Sequence, residues 1–213
     1  MINYRFTRKM QEYHTGKLEN EPDFGFVFNT AMQYGEFWPI IIYTVYCGYV
    51  NIERGDYAGL MNMVDKLGEI ADSIENSHAR AQAYRLSAVG WLRFRLLNKI
   101  FESADEALEY TQKTGHFTAL LIIWCVKASA HAMLDELVES KAAFQEATKL
   151  IPDKKIIPTY YIHYLQARAG IEMLELKNAM AKGIPYRKEV EILRKTVRLL
   201  IRLSASVPSS AIE

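Results

Sequence analysis

The chain repeats itself at an interval of forty residues, and that interval limits what it can fold into more than any other feature. Gly48, Ala88 and Ala128 are small residues in one phase of the repeat. Leu60, Ile100 and Ser140 follow in register, then Val64, Ala104 and Phe144, then Leu67, Ala107 and Ala147. Over two periods, GEFWPIII from Gly35 aligns with GHFTALLI from Gly115. A unit of this size is one supersecondary element that cannot bury its apolar face alone, so neighbouring units must stack. The expectation is stacked helical hairpins rather than a closed domain around a single active-site pocket.

Apolar residues recur at three- and four-residue spacings, and no long stretch alternates strictly between apolar and polar, which reads as helix almost throughout. Hairpins are expected at about 1–34, 38–73, 78–113, 117–152 and 156–205. They form a single domain over 1–205, and 206–213 reads as a frayed tail. In RGDY, Gly55 suits the end of one helix and Asp56 the N-cap of the next. Gly35, Gly115 and Pro152 are expected to close second helices, while Pro39 and Pro158 fall where a first helical turn tolerates a missing N–H. The absence of a Ser/Gly-rich linker argues against flexibly tethered domains.

Bulk properties exclude several classes of function. At 213 residues and 50% hydrophobic, the chain can bury a sizeable core. Its net charge of +1 creates no whole-molecule field that demands nucleic acid or a membrane. Cys47 and Cys125 both sit inside apolar runs, which fits free thiols in a reducing, cytoplasmic setting better than a disulfide framework. The N-terminal MINYRFTRKMQEYH lacks the apolar core of a signal peptide. The most apolar run, Phe37 to Val50, falls short of the roughly 20 residues needed to cross a bilayer.

Trp124, Ala128, His131, Ser140, Phe144, Ala147 and Pro152 carry a more specific pattern. Their spacing resembles that of the tetratricopeptide repeat, W-x2-L-G-x2-Y…A-x3-F-x2-A-x4-P, with Lys127, His131 and Ser140 departing in residue type. The hairpin near Trp38 matches through Gly48, Gly55 and Tyr57, and the one near His78 through Ala88, Ala104 and Ala107. The unit is longer than the standard repeat of about 34 residues. It looks like the repeats in the sensor regions of large bacterial signalling ATPases and LuxR/MalT-type transcription activators. The resemblance covers about 30–152. The first hairpin keeps only Phe24 and Val27 in phase, and in the last Gly170 runs two residues late. It implies an all-α, right-handed superhelix, a TPR-like solenoid, with a concave face lined by the first helix of each hairpin.

No constellation of catalytic residues emerges. His14, His78, His116, His131 and His163 are scattered without metal-ligand spacing, so neither a metal nor a cofactor is expected. Phosphate-cradling glycine motifs and the nucleophile-elbow motif are missing, and Cys125 lies in an apolar helix where a thiolate is disfavoured. Carboxylate pairs such as Glu102/Glu106 and Glu172/Glu175 read as solvated helix faces. The chain therefore reads as non-catalytic.

Following the resemblance, the concave face is expected to hold Ile42, Val45, Tyr49 and Ile52, then Gln82, Arg85, Val89 and Arg93, then Ile122, Cys125, Ser129 and Met133. The candidate binding residues are Tyr49, Gln82, Arg85, Val89, Arg93, Ile122 and Met133. They would form a groove for a peptide or amphipathic helix, with the two arginines selecting acidic groups. A groove filled by a neighbouring hairpin or by self-association is the competing reading. The Lys and Asn positions of the chaperone-tail carboxylate clamp are not reproduced, since Val45, Tyr46, Tyr49, Ile52 and Glu53 stand there.

The segment 186–203 is basic, with Arg187, Lys188, Arg194, Lys195, Arg198 and Arg202 against Glu189 and Glu191. It is the single candidate for nucleic acid, and its apolar stripe from Val190 to Ile201 favours a capping helix with a solvated cationic face. The sequence thus points to a protein-interaction module, with a small-effector sensor and a homodimerising element as alternatives.

Overall fold

The turns between helices recur more regularly than the helices do. In the computed structural model, which describes residues 2–14, 23–151 and 158–206, a backbone with left-handed φ stands at Gly35 (69°), Gly55 (71°), Glu75 (50°), Arg95 (56°), Gly115 (67°) and Asp135 (62°). The interval is twenty residues, half the sequence period. Each of these residues stops a helix. The amide after it usually reaches back across the last turn, as in Glu36 N–H to Ala31 O (2.9 Å), Asp56 to Asn51 O (2.8 Å), Leu96 to Trp91 O (2.8 Å) and Glu136 to His131 O (2.9 Å). This is the Schellman arrangement, which satisfies carbonyls that the helix end leaves open.

The same residue that completes one turn starts the next helix. Asp56 accepts from Gly59 N–H at 2.8 Å and Asn76 accepts from Ala79 N–H at 2.8 Å. His116 Nδ1 accepts from Ala119 N–H at 3.3 Å. Stop and start signals are therefore compressed into two adjacent residues, which holds consecutive helices close together.

Among the described residues all regular structure is helical. The helices are α1 (Ile2–His14), α2 (Phe24–Tyr34), α3 (Phe37–Glu53), α4 (Tyr57–Ser73), α5 (Ser77–Arg93), α6 (Leu97–Thr114), α7 (Phe117–Met133), α8 (Leu137–Lys149), α9 (Pro158–Ala181) and α10 (Arg187–Ser206). Pro152 lies outside the described residues, as does the tail expected at 206–213 apart from Ser206, which ends α10. The chain divides at Gly115/His116 into two compact units.

In the first unit, α3 packs on α4, α4 on α5, α5 on α6, and α3 also on α5. The forty-residue period appears there directly as contacts. Trp38 lies over His78 with ring centroids 4.8 Å apart, and Arg93 donates to Glu53 at 3.0 Å. Close approach depends on two glycines: a Cβ at Gly48 would collide with Leu86, and one at Gly90 with Leu60. Tyr43, Ile40, Ile41, Leu60, Leu67, Leu86 and Ile100 are fully buried, each burial removing apolar area from water. The first pair of helices is arranged differently from the rest. Both α1 and α2 lie on α3, the latter through Phe24, whose ring stacks on Tyr43 at 5.8 Å.

In the second unit, α7 packs on α8 and α9, α8 on α9, and α10 on α9. Its core joins Leu121, Cys125, Ala128, Ala143, Ala147, Tyr164 and Leu165, with Trp124 and Phe144 packed against it. Ser140 donates to Ala128 O at 2.7 Å, fixing the α7–α8 crossing with small residues on both sides. Lys177 reaches Asp135 at 2.7 Å, forty-two residues away. That spacing carries the two-residue delay visible at Gly170 in the sequence, while Gly170 itself lies against Ala132.

Candidate functional site

Most of the residues expected to line the groove are buried within their own units. Tyr49, Gln82, Arg85 and Val89 all lie in the first unit and are buried, and Ile122 in the second unit is fully buried. Of the seven candidates, Met133 at the end of α7 is exposed and Arg93 is half-buried. The physical reason on α3 is the chain itself. Helix α1 lies along α3 and buries Tyr13, whose ring sits 5.6 Å from Tyr46 and 5.7 Å from Tyr49. Lys9, one turn earlier on α1, is buried too and pairs with Glu12 at 3.3 Å.

The structure brings the α3 and α5 candidates together but gives the two arginines different circumstances. Arg93 is neutralised by Glu53, whose side chain is almost entirely enclosed. Burial pushes the Glu53 carboxyl above its ordinary value, and the Arg93 guanidinium pulls it back only in part. Arg85 has no such carboxylate among the described residues. Its guanidinium lies 5.7 Å from the Tyr49 ring centre, and its Nε is buried without a hydrogen-bond partner among the described residues. Gln82, one turn earlier on α5, places Nε2 at 3.2 Å from His78 Nε2, while its buried Oε1 has no partner among the described residues. A line of aromatic and polar groups thus runs from Tyr13 through Tyr49 to Arg85. Sequence reasoning missed Tyr13 because α1 carries almost none of the repeat pattern. It also missed the Glu53–Arg93 pair, although the forty-residue spacing already placed both residues in one phase.

Other candidates take structural roles. Burial pushes the Cys125 thiol well above its ordinary value, which makes it a poor nucleophile. His131 bonds Glu136 through Nδ1 at 2.7 Å across the α7–α8 turn. Among the described residues no group of three or more His, Cys, Asp or Glu could hold a metal ion. No described helix is long and apolar enough to cross a membrane. On α10, Leu200 and Leu203 pack against the second unit's core, while Arg194, Lys195, Arg198 and Arg202 face solvent. The chain matches no family model, no curated protein and no solved structure.

Proposed function

We propose that the protein is a non-catalytic, tetratricopeptide-like interaction module whose α3–α5 face takes an amphipathic helix, with the chain's own α1 holding that face in the free protein. The observation that carries this reading is the seat of Tyr13 between Tyr46 and Tyr49. An aromatic anchor on a short helix, buried in a cleft of aromatic side chains on its neighbour, is how helix-in-groove recognition concentrates its energy. A competing helix would present an aromatic or large apolar residue in place of Tyr13, with its flanks free of acidic crowding near Glu53.

A fluorescent peptide with the sequence of residues 2–14 tests this. The full chain carrying Tyr13→Ala should bind it more tightly than the unaltered chain does, because its own helix competes less well. Adding Tyr49→Ala should abolish the gain. If the Tyr13→Ala chain binds no peptide, the reading is wrong.

The alternative of a small-effector sensor is favoured by one observation, the unpaired Arg85 beneath Tyr49. The two readings share one face and differ in the size of what occupies it.

A further inference from the structure

The α5 helix carries three arginines, and two of them have carboxylate partners. Arg80 pairs with Asp72 and Arg93 with Glu53. Arg85, between them, is the most enclosed at 7% exposure, yet it makes no ion pair among the described residues. A guanidinium taken out of water loses its hydration and needs an anion or several acceptors in return. The Tyr49 ring is a weaker partner than a carboxylate. Gln82 lies three residues earlier, on the same side of the helix, with its amide oxygen equally enclosed and unpartnered. One stranded donor and one stranded acceptor therefore lie in a single layer, on the same side of α5.

We propose that this layer is a binding site for a carboxylate that bears an O–H or N–H donor on its adjoining carbon. Arg85 offers N–H groups in the fork geometry that matches the two oxygens of a carboxylate. Gln82 Oε1 accepts from the neighbouring donor. One such ligand satisfies both stranded groups and also balances the enclosed guanidinium charge, which a neutral amide or a simple cation does not. Small 2-hydroxy or 2-amino acids have this chemistry, and so does a peptide C-terminus, whose last N–H adjoins its carboxylate. The inference rests on the α3–α5 layer being the working face. It is tested without any helical partner, so its failure would leave the α1-peptide result standing, and the reverse holds too.

The test uses the full chain, with the Arg85 Nε–H resonance assigned by its loss in Arg85→Lys. Glycolate should shift that resonance saturably, acetate should do so about tenfold more weakly for want of the second donor, and acetamide, which has both hydrogen-bonding groups but no charge, should bind far more weakly than glycolate. An acetylated Ala-Ala-Gly peptide with a free C-terminus, compared with its amide, separates the two sources. Tighter binding of the free-acid peptide than of glycolate assigns the site to a chain terminus, and the opposite order assigns it to a free small acid. Thermal melting supplies a readout that a structural arginine would move the other way. Arg85→Met should melt above the unaltered protein in plain buffer and lose all stabilisation by glycolate. A resonance unmoved by glycolate and by the free-acid peptide would overturn the proposal. So would an Arg85→Met chain that melts lower or fails to fold, since the guanidinium would then be compensated from within.

Discussion

A methyl group added at Gly48 would meet the side chain of Leu86, which is itself fully buried and has nowhere to retreat. Alanine favours a helix interior over glycine by about 1 kcal/mol, but overpacking a closed core costs about 1–3 kcal/mol. Gly48→Ala is therefore expected to lose about 1 kcal/mol net in urea unfolding. Gly68, inside α4 with open space where a Cβ would sit, provides the contrast. Gly68→Ala should gain up to about 1 kcal/mol, and a loss there would refute the packing account. Arg95 is a different case, since its φ of 56° strains any residue with a Cβ. Arg95→Gly is expected to stabilise the chain by about 0.5–1 kcal/mol, read from the shift in denaturation midpoint at constant slope. Half of these turn sites were legible in the sequence, because Gly35, Gly55 and Gly115 announce a left-handed turn. Glu75, Arg95 and Asp135 do not, since their conformation is imposed by the helices on either side.

Between α3 and α5 the contacts are set by register rather than by the propensity of either helix. Trp38 with His78 and Glu53 with Arg93 are each one period apart, so the repeat that marks the fold also selects the pairs. Small residues in phase made the helical character readable, whereas the placement of α1 over α3 was not, because α1 lies outside the periodic pattern. The buried Glu53 has a measurable consequence. Its carboxyl is held above its ordinary 4.5 chiefly by burial, so the folded state keeps this proton more firmly than the unfolded state. The contribution of this one carboxyl to stability is then greatest at low pH and falls as pH rises from about 4.5 through the raised value, levelling off above it. Glu53→Gln keeps an oxygen to accept from Arg93 and removes the titration. Its unfolding free energy should vary less with pH over that window than that of the unaltered chain. Parallel profiles from urea titrations at a series of pH values would contradict this.

Across the whole chain, the all-helical composition could be read from apolar spacings. The compact units meeting at Gly115/His116 could not, since that turn has the same chemistry as the turns before it. The site was legible to a similar degree. Register picked out Arg85 and Gln82, but burial and pairing decide what they can do, and neither is written in spacing. The twenty-residue rhythm of left-handed turns has one more implication, for how such a chain is lengthened or shortened. Because each junction from α2–α3 to α7–α8 puts the stop of one helix directly before the start of the next, a cut at 55/56 and another at 95/96 free a cassette with matching ends. Removing 56–95 would join Gly55 to Leu96, so that α3 runs into α6 through a turn already built on glycine. The shortened chain should keep the same helical fraction by circular dichroism and still unfold cooperatively. Loss or gain of whole hairpins is thus a small step in sequence, while insertion of a single residue within a helix would rotate everything after it by about 100°.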